Sequence, residues 1–351
     1  MKLDTPQLSS LDMAGKRVLV RVDFNVPIDD DGTIRDDTRI QRAVPTIEAI
    51  LKAGGRPVLM SHLGRPKGQV VETMRLAPVA KRLGELLGRE VLALKESTGT
   101  AVESAVAAAE DGDVIMLENV RFHAGETKGD EELSKAFAKL GDVFVNDAFG
   151  TSHRAHCSVS GVAHLLPSAA GLLLQAELDA FKRVLEDPAR PVVAVLGGAK
   201  VADKLTAIDN LLDKVDKLIV GGGMAYTFLK AMGHTVGTSL VQDDQIDMVK
   251  RAIAKAKDKG VELLLPIDHL CGAAFSADTP ALPTDGADIP DGQMGLDIGP
   301  KSLALFVAAV SSARTLVWNG PMGVFEWPSF QQGTEQVGRA VAACEGYTVV
   351  G

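Results

Sequence analysis

Short runs of apolar, largely β-branched residues alternate along this chain with longer stretches of helical periodicity, a rhythm that few folds accept. The runs 17–22, 57–61, 114–117 and 143–146 are separated by helix-like segments such as 40–53 and 76–87. After Pro191 the rhythm restarts, with strand-like runs at 192–196, 217–220, 261–265, 315–318 and 347–350 and helical spacing over 201–215, 225–232, 243–259 and 300–309. Such alternation predicts βαβ units and parallel sheets whose strands are buried on both faces. With 351 residues the chain exceeds what one core usually supports, and the restart marks two lobes. Residues 167–185 carry helical spacing between the two series and are the candidate interdomain helix. The expected layout is a front lobe over 1–170, a hinge helix over 171–188 and a rear lobe over 189–351.

In open α/β sheets the ligand crevice lies beyond the carboxyl ends of the strands, so the turns after the runs are where binding is expected. In the front half they carry arginine and histidine: Arg21-Val-Asp23-Phe-Asn25, Ser61-His62-Leu-Gly64-Arg65-Pro66, Glu118-Asn119-Val-Arg121-Phe-His123 and His153-Arg154-Ala-His156. In the rear half they carry glycine: Gly197-Gly198-Ala-Lys200, Gly221-Gly222-Gly223 and Asn319-Gly320-Pro321-Met-Gly323. A cationic cleft and a glycine-lined one are predicted.

The formal net charge of −9 makes the basic turns local exceptions and argues against a general nucleic-acid binder. Cys157, Cys271 and Cys344 are scattered and odd in number, which indicates neither a disulfide framework nor a zinc site. The first 15 residues lack a continuous apolar core and no later run reaches membrane-spanning length, so the expectation is a soluble, cytoplasmic protein with no membrane contact.

The guanidinium fork of arginine pairs with phosphate or carboxylate oxygens, and several arginines converging on one spot repel unless an anion lies between them. Arg21, Arg39, Arg65, Arg121 and Arg154, joined by His62, His153 and His156, therefore point to a small polyanionic ligand. The histidines lack metal-binding spacing, and no nucleophile elbow is present. In the rear half, Gly197-Gly198 runs from a strand toward a helix expected to begin near Lys200, where backbone N–H groups can cradle a phosphate. Lys200 and Lys204 would share one helix face, which suits an anion between them, although ordinary solvated lysines fit the spacing as well. Neither glycine turn matches a Walker A or a dinucleotide fingerprint, which leaves a mononucleotide held by unusual turns. Glu326, after a glycine-rich bend, is placed either to accept ribose hydroxyls or to face solvent.

Taken in order, Arg21-Val-Asp-Phe-Asn-Val-Pro27, Ser61-His-Leu-Gly-Arg-Pro66, Leu117-Glu-Asn-Val-Arg-Phe122, the stretch from Asp147 to His156, Leu196-Gly-Gly-Ala-Lys200 through Lys204, and Gly320-Pro-Met-Gly-Val-Phe-Glu326 make a series covering essentially the whole chain, and that series resembles phosphoglycerate kinase. The resemblance implies reversible phosphoryl transfer between ATP and the carboxylate of 3-phosphoglycerate. It also implies two Rossmann-like, doubly wound lobes that close about a hinge in a monomer. By matching position, Arg21, Asp23, Asn25, Arg39, His62, Arg65, Arg121 and Arg154 would form the 3-phosphoglycerate site. Gly198, Lys200, Lys204, Gly221, Gly222, Gly295, Asn319, Gly323 and Glu326 would form the nucleotide site. Arg39 and Lys200 would neutralise charge on the passing phosphoryl group, and no general base is needed because the acceptor carboxylate is already ionised.

The family pattern continues beyond Tyr347-Thr-Val-Val-Gly351 with two further glycine turns and the aspartate that binds the Mg²⁺ carried with ATP or ADP. The resemblance therefore implies a shortened copy with weakened ATP affinity, and no metal ligand is expected within the residues present. The competing readings are a noncatalytic two-lobed anion-binding protein, which leaves Lys200 and Lys204 unexplained, a noncatalytic scaffold derived from the kinase, and a dehydrogenase, whose fingerprint is missing.

Overall fold

The computed structural model describes residues 5–29 and 31–351; the first four residues of the expected front lobe and Asp30 lie outside the described residues. The chain divides into two compact units, one ending at Asp179 and one beginning at Ala180.

The first unit runs β1 (Arg17–Arg21), α1 (Thr38–Lys52), β2 (Arg56–Met60), α2 (Ala77–Leu87), β3 (Val91–Ala93), α3 (Thr100–Ala107), β4 (Val114–Met116), α4 (Glu131–Ala138), β5 (Val143–Asn146) and β6 (Ser168–Ala170). Its six strands form one sheet in the order β3-β4-β2-β1-β5-β6, with all pairs parallel. Alternate residues of each strand feed opposite faces. Val18 and Val20 of β1 pack with Ile40, Ile47 and Val79 of α1 and α2. Leu19, between them, packs with Val102, Val106 and Phe137 of α3 and α4. Both faces of the sheet are thus covered by helices, which is why its strands read as unbroken apolar runs rather than alternating ones.

α5 (Leu172–Leu185) spans the division between the units. The helical spacing over 167–185 overstates this helix at its start. Ser168–Ala170 instead form β6, in parallel register with Phe144, Val145 and Asn146. Completing the backbone ladder at the sheet edge satisfies these peptide groups as a helix would, and tertiary pairing decides between the two.

The second unit runs β7 (Val192–Leu196), α6 (Leu205–Leu211), β8 (Lys217–Val220), α7 (Ala225–Ala231), α8 (Ile246–Lys259), β9 (Glu262–Leu264), β10 (His269–Gly272), β11 (Leu282–Pro283), β12 (Met294–Ile298), α9 (Pro300–Ser311), β13 (Thr315–Asn319), α10 (Gln332–Ala342) and β14 (Tyr347–Val350). Its five-stranded sheet, β14-β13-β7-β8-β9, is parallel throughout. Val192, Ala194 and Leu196 face α6, α7 and α8, while Val193 and Val195 face α9 and α10. A separate antiparallel sheet, β11-β10-β12, amends the expectation of a purely parallel lobe. Helix α6 is also shorter than the apolar spacing over 201–215 predicts.

Candidate active site

Four neighbouring strands of the first sheet, β4, β2, β1 and β5, send their carboxyl-end turns to one edge, and these turns are the four basic segments. Hydrogen bonds knit the segments together. The Val22 N–H donates to the Met60 carbonyl (3.0 Å) and the Phe24 N–H to Ser61 Oγ (2.9 Å). Asn119 Nδ2 donates to the carbonyls of Leu63 (2.8 Å) and Met74 (2.9 Å), and Arg121 Nη1 donates to the Gly64 carbonyl (2.8 Å). The turns thus hold their charged side chains on a fixed backbone.

The cleft they border has a volume of ≈ 500 Å³ and is lined by Arg65, Lys67, Arg121, Lys128 and Arg154, with His123 and His156. No carboxylate lines it among the described residues. Arg121 is only part-exposed and its Nε is buried with no hydrogen-bond partner, as is Nδ1 of His156. An uncompensated buried guanidinium donor such as Arg121 Nε beside like charges is costly, and an anion offsets that cost. Burial, then the guanidinium groups of Arg121 and Arg154, lower the His156 pKa to about 4. Burial, then Arg21, Arg121 and Arg154, lower that of His62 to about 2. Both rings are neutral at physiological pH.

Beside the cleft, Asp23 Oδ2 accepts a hydrogen bond from Arg39 Nη1 (2.8 Å), and Asp23 Oδ1 lies 3.9 Å from His62 Nδ1. Arg39 stands in the first turn of α1, where a cation opposes the helix dipole and the ion pair with Asp23 offsets that cost. Its side chain remains 53% exposed, free to meet a ligand.

Two front-set residues turn inward. Asn25 spends its Oδ1 on the Gly64 N–H (2.8 Å), fastening the 61–66 turn. Arg21, expected to grip an anion, is fully buried at the end of β1 and donates to Ser158 Oγ, the Val22 carbonyl and His62 Nδ1. Its alternation partner Val20 faces the α1–α2 side, so Arg21 projects to the other face beneath the turns and supports the site from below. Lys67 and Lys128 were missed as lining groups. Both lie only a few residues beyond basic segments already singled out, which was the available signal.

The second unit gathers its three glycine turns at the carboxyl ends of the adjacent strands β13, β7 and β8. They interlock. The Gly197 N–H donates to the Asn319 carbonyl (2.9 Å), Gly198 to Pro321 (3.0 Å), Gly221 to Leu196 (2.8 Å), Gly222 to Met322 (3.0 Å) and Met224 to Gly198 (3.0 Å). The amides of Gly197, Gly198, Gly221 and Gly222 are therefore spent on backbone carbonyls rather than held open for a phosphate. Glycine is required because the backbones touch: a Cβ on Gly197 would lie 2.0 Å from the Pro321 carbonyl oxygen.

Lys200 and Lys204 do not share a helix face, because α6 begins only at Leu205. Lys204 sits at its N-cap and sends Nζ back to the carbonyls of Gly197 (2.7 Å) and Asn319 (3.0 Å) and to Asn319 Oδ1. All three ammonium protons are thereby used, so Lys204 and Asn319 act here as a clamp between two turns. Lys200 is exposed and makes no side-chain ion pair or hydrogen bond among the described residues.

Next to the turns lies a largely apolar cleft of ≈ 510 Å³, floored by Gly198, Gly222, Gly295 and Gly323 and walled by Tyr226, Leu240 and Phe275, with the exposed Glu326 on its border. Gly295 is close-packed under Tyr226, whose hydroxyl would lie 2.1 Å from any added Cβ. Gly221 does not line the cleft; Met322 covers it. Buried Asp297 accepts N–H groups from Ile298 (2.9 Å) and Gly333 (2.8 Å), and burial raises its pKa to about 6. Phe275 falls in a segment without periodic pattern, and the sequence carried no signal for it.

An α/β protein with a cleft on one unit that is lined by cations and, among the described residues, by no carboxylate, and a glycine-floored cleft on the other, fits the class of phosphotransferases that position anions. The chain is a member of the phosphoglycerate kinase family, whose model, described as phosphoglycerate kinase, matches residues 8–351. It is 52% identical over 354 residues to the phosphoglycerate kinase of Clostridium novyi (strain NT), covering 100% of this chain and 89% of that protein. It is 54% identical over 344 residues to that of Moorella thermoacetica, covering 98% and 87%. Among solved structures, phosphoglycerate kinase from Coxiella burnetii superposes with a TM-score of 0.89 at 41% identity, covering 99% of this chain and 88% of that one. The Pyrococcus horikoshii OT3 enzyme gives 0.79 at 30% identity, covering 98% and 88%. The chain is accordingly a kinase, and nothing in its relatives favours a noncatalytic scaffold.

Proposed function

We propose that the cationic cleft of the first unit binds 3-phosphoglycerate and that the glycine-floored cleft of the second binds ATP or ADP, for reversible transfer of a phosphoryl group onto the substrate carboxylate. The observation that carries this reading is five cations around one cleft with no carboxylate among its lining residues. A phosphate dianion is the ligand that relieves such crowding. In this reading Arg65, Arg121 and Arg154 take the phosphate group, and Arg39 and His62, held beside Asp23, take the carboxylate end. In the second unit the base lies on the glycine floor beside Tyr226 and Leu240, and Glu326 accepts the ribose hydroxyls.

Catalysis by these residues is alignment and neutralisation. The acceptor carboxylate is ionised at neutral pH and needs no base to activate it. Charge on the equatorial oxygens of the passing group is met by Lys200, which is uncommitted, and by the free arm of Arg39. Domain closure, expected from the family resemblance, is the step that brings donor and acceptor into line. The Mg²⁺ ion enters with the nucleotide as part of the substrate; among the described residues no group of three or more His, Cys, Asp or Glu side chains is placed to hold it. Function as a monomer in the cytoplasm belongs to the same proposal and is checked by sedimentation and cell fractionation.

The test is ADP formation from ATP that depends on 3-phosphoglycerate. Lys200→Met is expected to lower kcat by about 10²- to 10³-fold, the scale of losing one preorganised donor to transition-state charge. ADP formation indifferent to 3-phosphoglycerate, or to Lys200→Met, would overturn the assignment.

A further inference from the structure

One buried chain beneath the cationic cleft is not accounted for by ligand contact. Glu126 is fully buried, and its carboxylate accepts the Ser158 N–H (3.0 Å, at Oε2) and the Ser158 hydroxyl (at Oε1). Ser158 Oγ in turn accepts Arg21 Nε (2.9 Å), and Arg21 Nη2 lies 3.0 Å from His62 Nδ1. A guanidinium has donors only, so this last contact places the Nδ1 lone pair toward Arg21 and leaves the proton of the neutral ring on Nε2.

We propose that Glu126, acting through Ser158 and Arg21, is a positioning residue that locks His62 as a neutral Nε2–H hydrogen-bond donor to the acceptor substrate; the role toward substrate rests on the reading of this cleft as the 3-phosphoglycerate site. The opposite tautomer would present a lone pair at Nε2 to an anionic oxygen and repel it. The charged and titratable groups that act on His62 are Arg21, Asp23, Arg121, Arg154 and His156, four of them cationic or potentially so, which disfavours a protonated ring. Arg21 itself is a fully buried cation whose leading countercharge is Glu126, followed by Asp23. Ser158 is the spacer that keeps Arg21 from turning directly onto Glu126. Remove its hydroxyl and the guanidinium is drawn toward the carboxylate and away from the imidazole.

The experiment is long-range ¹H–¹⁵N correlation of the histidine rings in the full chain, with His62 assigned by His62→Gln. The wild type is expected to show the Nε2–H tautomer throughout pH 6–8, with the His62 signals shifting on addition of 3-phosphoglycerate. Ser158→Ala and Arg21→Lys are each expected to give mixed tautomers. Each should also raise KM for 3-phosphoglycerate about tenfold, the scale of one hydrogen bond to a charged group, while KM for ATP stays unchanged. An Nδ1–H tautomer in the wild type would overturn the proposal even if both variants failed to fold, and so would folded variants with wild-type tautomer and KM. The expected tautomer with no response of His62 to 3-phosphoglycerate would overturn the substrate role alone, and thereby the reading of the cleft rather than the lock.

Discussion

Arg65 is exposed on the rim of a cleft already crowded with positive charge. Arg65→Ala is expected to weaken 3-phosphoglycerate binding about 10- to 100-fold while leaving the melting temperature unchanged or slightly raised, because repulsion from Arg121 is relieved. Calorimetric titration and thermal melts of the one variant check both halves. The buried histidines are expected to contribute to the acid limb of stability. His156 has an ordinary value of 6.5 and a folded value of about 4, so the unfolded chain takes up its proton first as pH falls. Its contribution is present above pH 6.5 and is lost as pH drops toward 4, with His62 extending the loss lower. His156→Gln is expected to flatten the stability curve between pH 6.5 and 4 in denaturant titrations; an unchanged slope would contradict it. At this scale the sequence displayed which residues carry charge but not where each side chain points. Arg21 and Asn25 sit in the same segment as Asp23 and look equally available, yet strand alternation claims Arg21 for the interior and the Gly64 N–H occupies the half-buried Asn25.

The glycine turns behave as one element. Gly222 has φ +66°, and a Cβ there would lie 2.6 Å from the Gly198 nitrogen, so Gly222→Ala is expected to cost about 1–3 kcal/mol and to widen the interlock. Lys204→Met leaves the Gly197 carbonyl and Asn319 Oδ1 without their donor and is expected to lower stability by about 1–3 kcal/mol. Lys200→Met, four residues away, should leave the melting temperature alone and affect only turnover. Equal thermal effects of the two lysine variants would contradict the clamp. Strand positions were legible because a buried parallel strand is a continuous apolar run. The start of α6 was not, since the spacing over 201–215 satisfies a helix while the chain from 197 to 204 is held by contacts to Asn319 and Pro321, more than a hundred residues later. The strands β10, β11 and β12 escaped for a similar reason: β11 has two residues and its pairing with β10 is long-range.

At the scale of the whole chain, each unit presents its own set of strand-end turns, basic in one and glycine-rich in the other, and the two-lobed α/β class was visible in the restart after Pro191. The family resemblance carried the substrates, which no periodicity could supply. The division at Asp179 and Ala180 falls inside α5, whereas the sequence placed lobe boundaries on either side of that helix. The measurement that bears most directly on the cationic cleft is a calorimetric titration of the full chain with 3-phosphoglycerate at low and high salt, repeated with Arg154→Ala. Saturable binding, weakened by salt as exposed charges are screened and reduced at least tenfold in the variant, is the predicted result. A folded chain that binds no 3-phosphoglycerate, or binds it equally well at both salt concentrations and without Arg154, would contradict the assignment of the cleft.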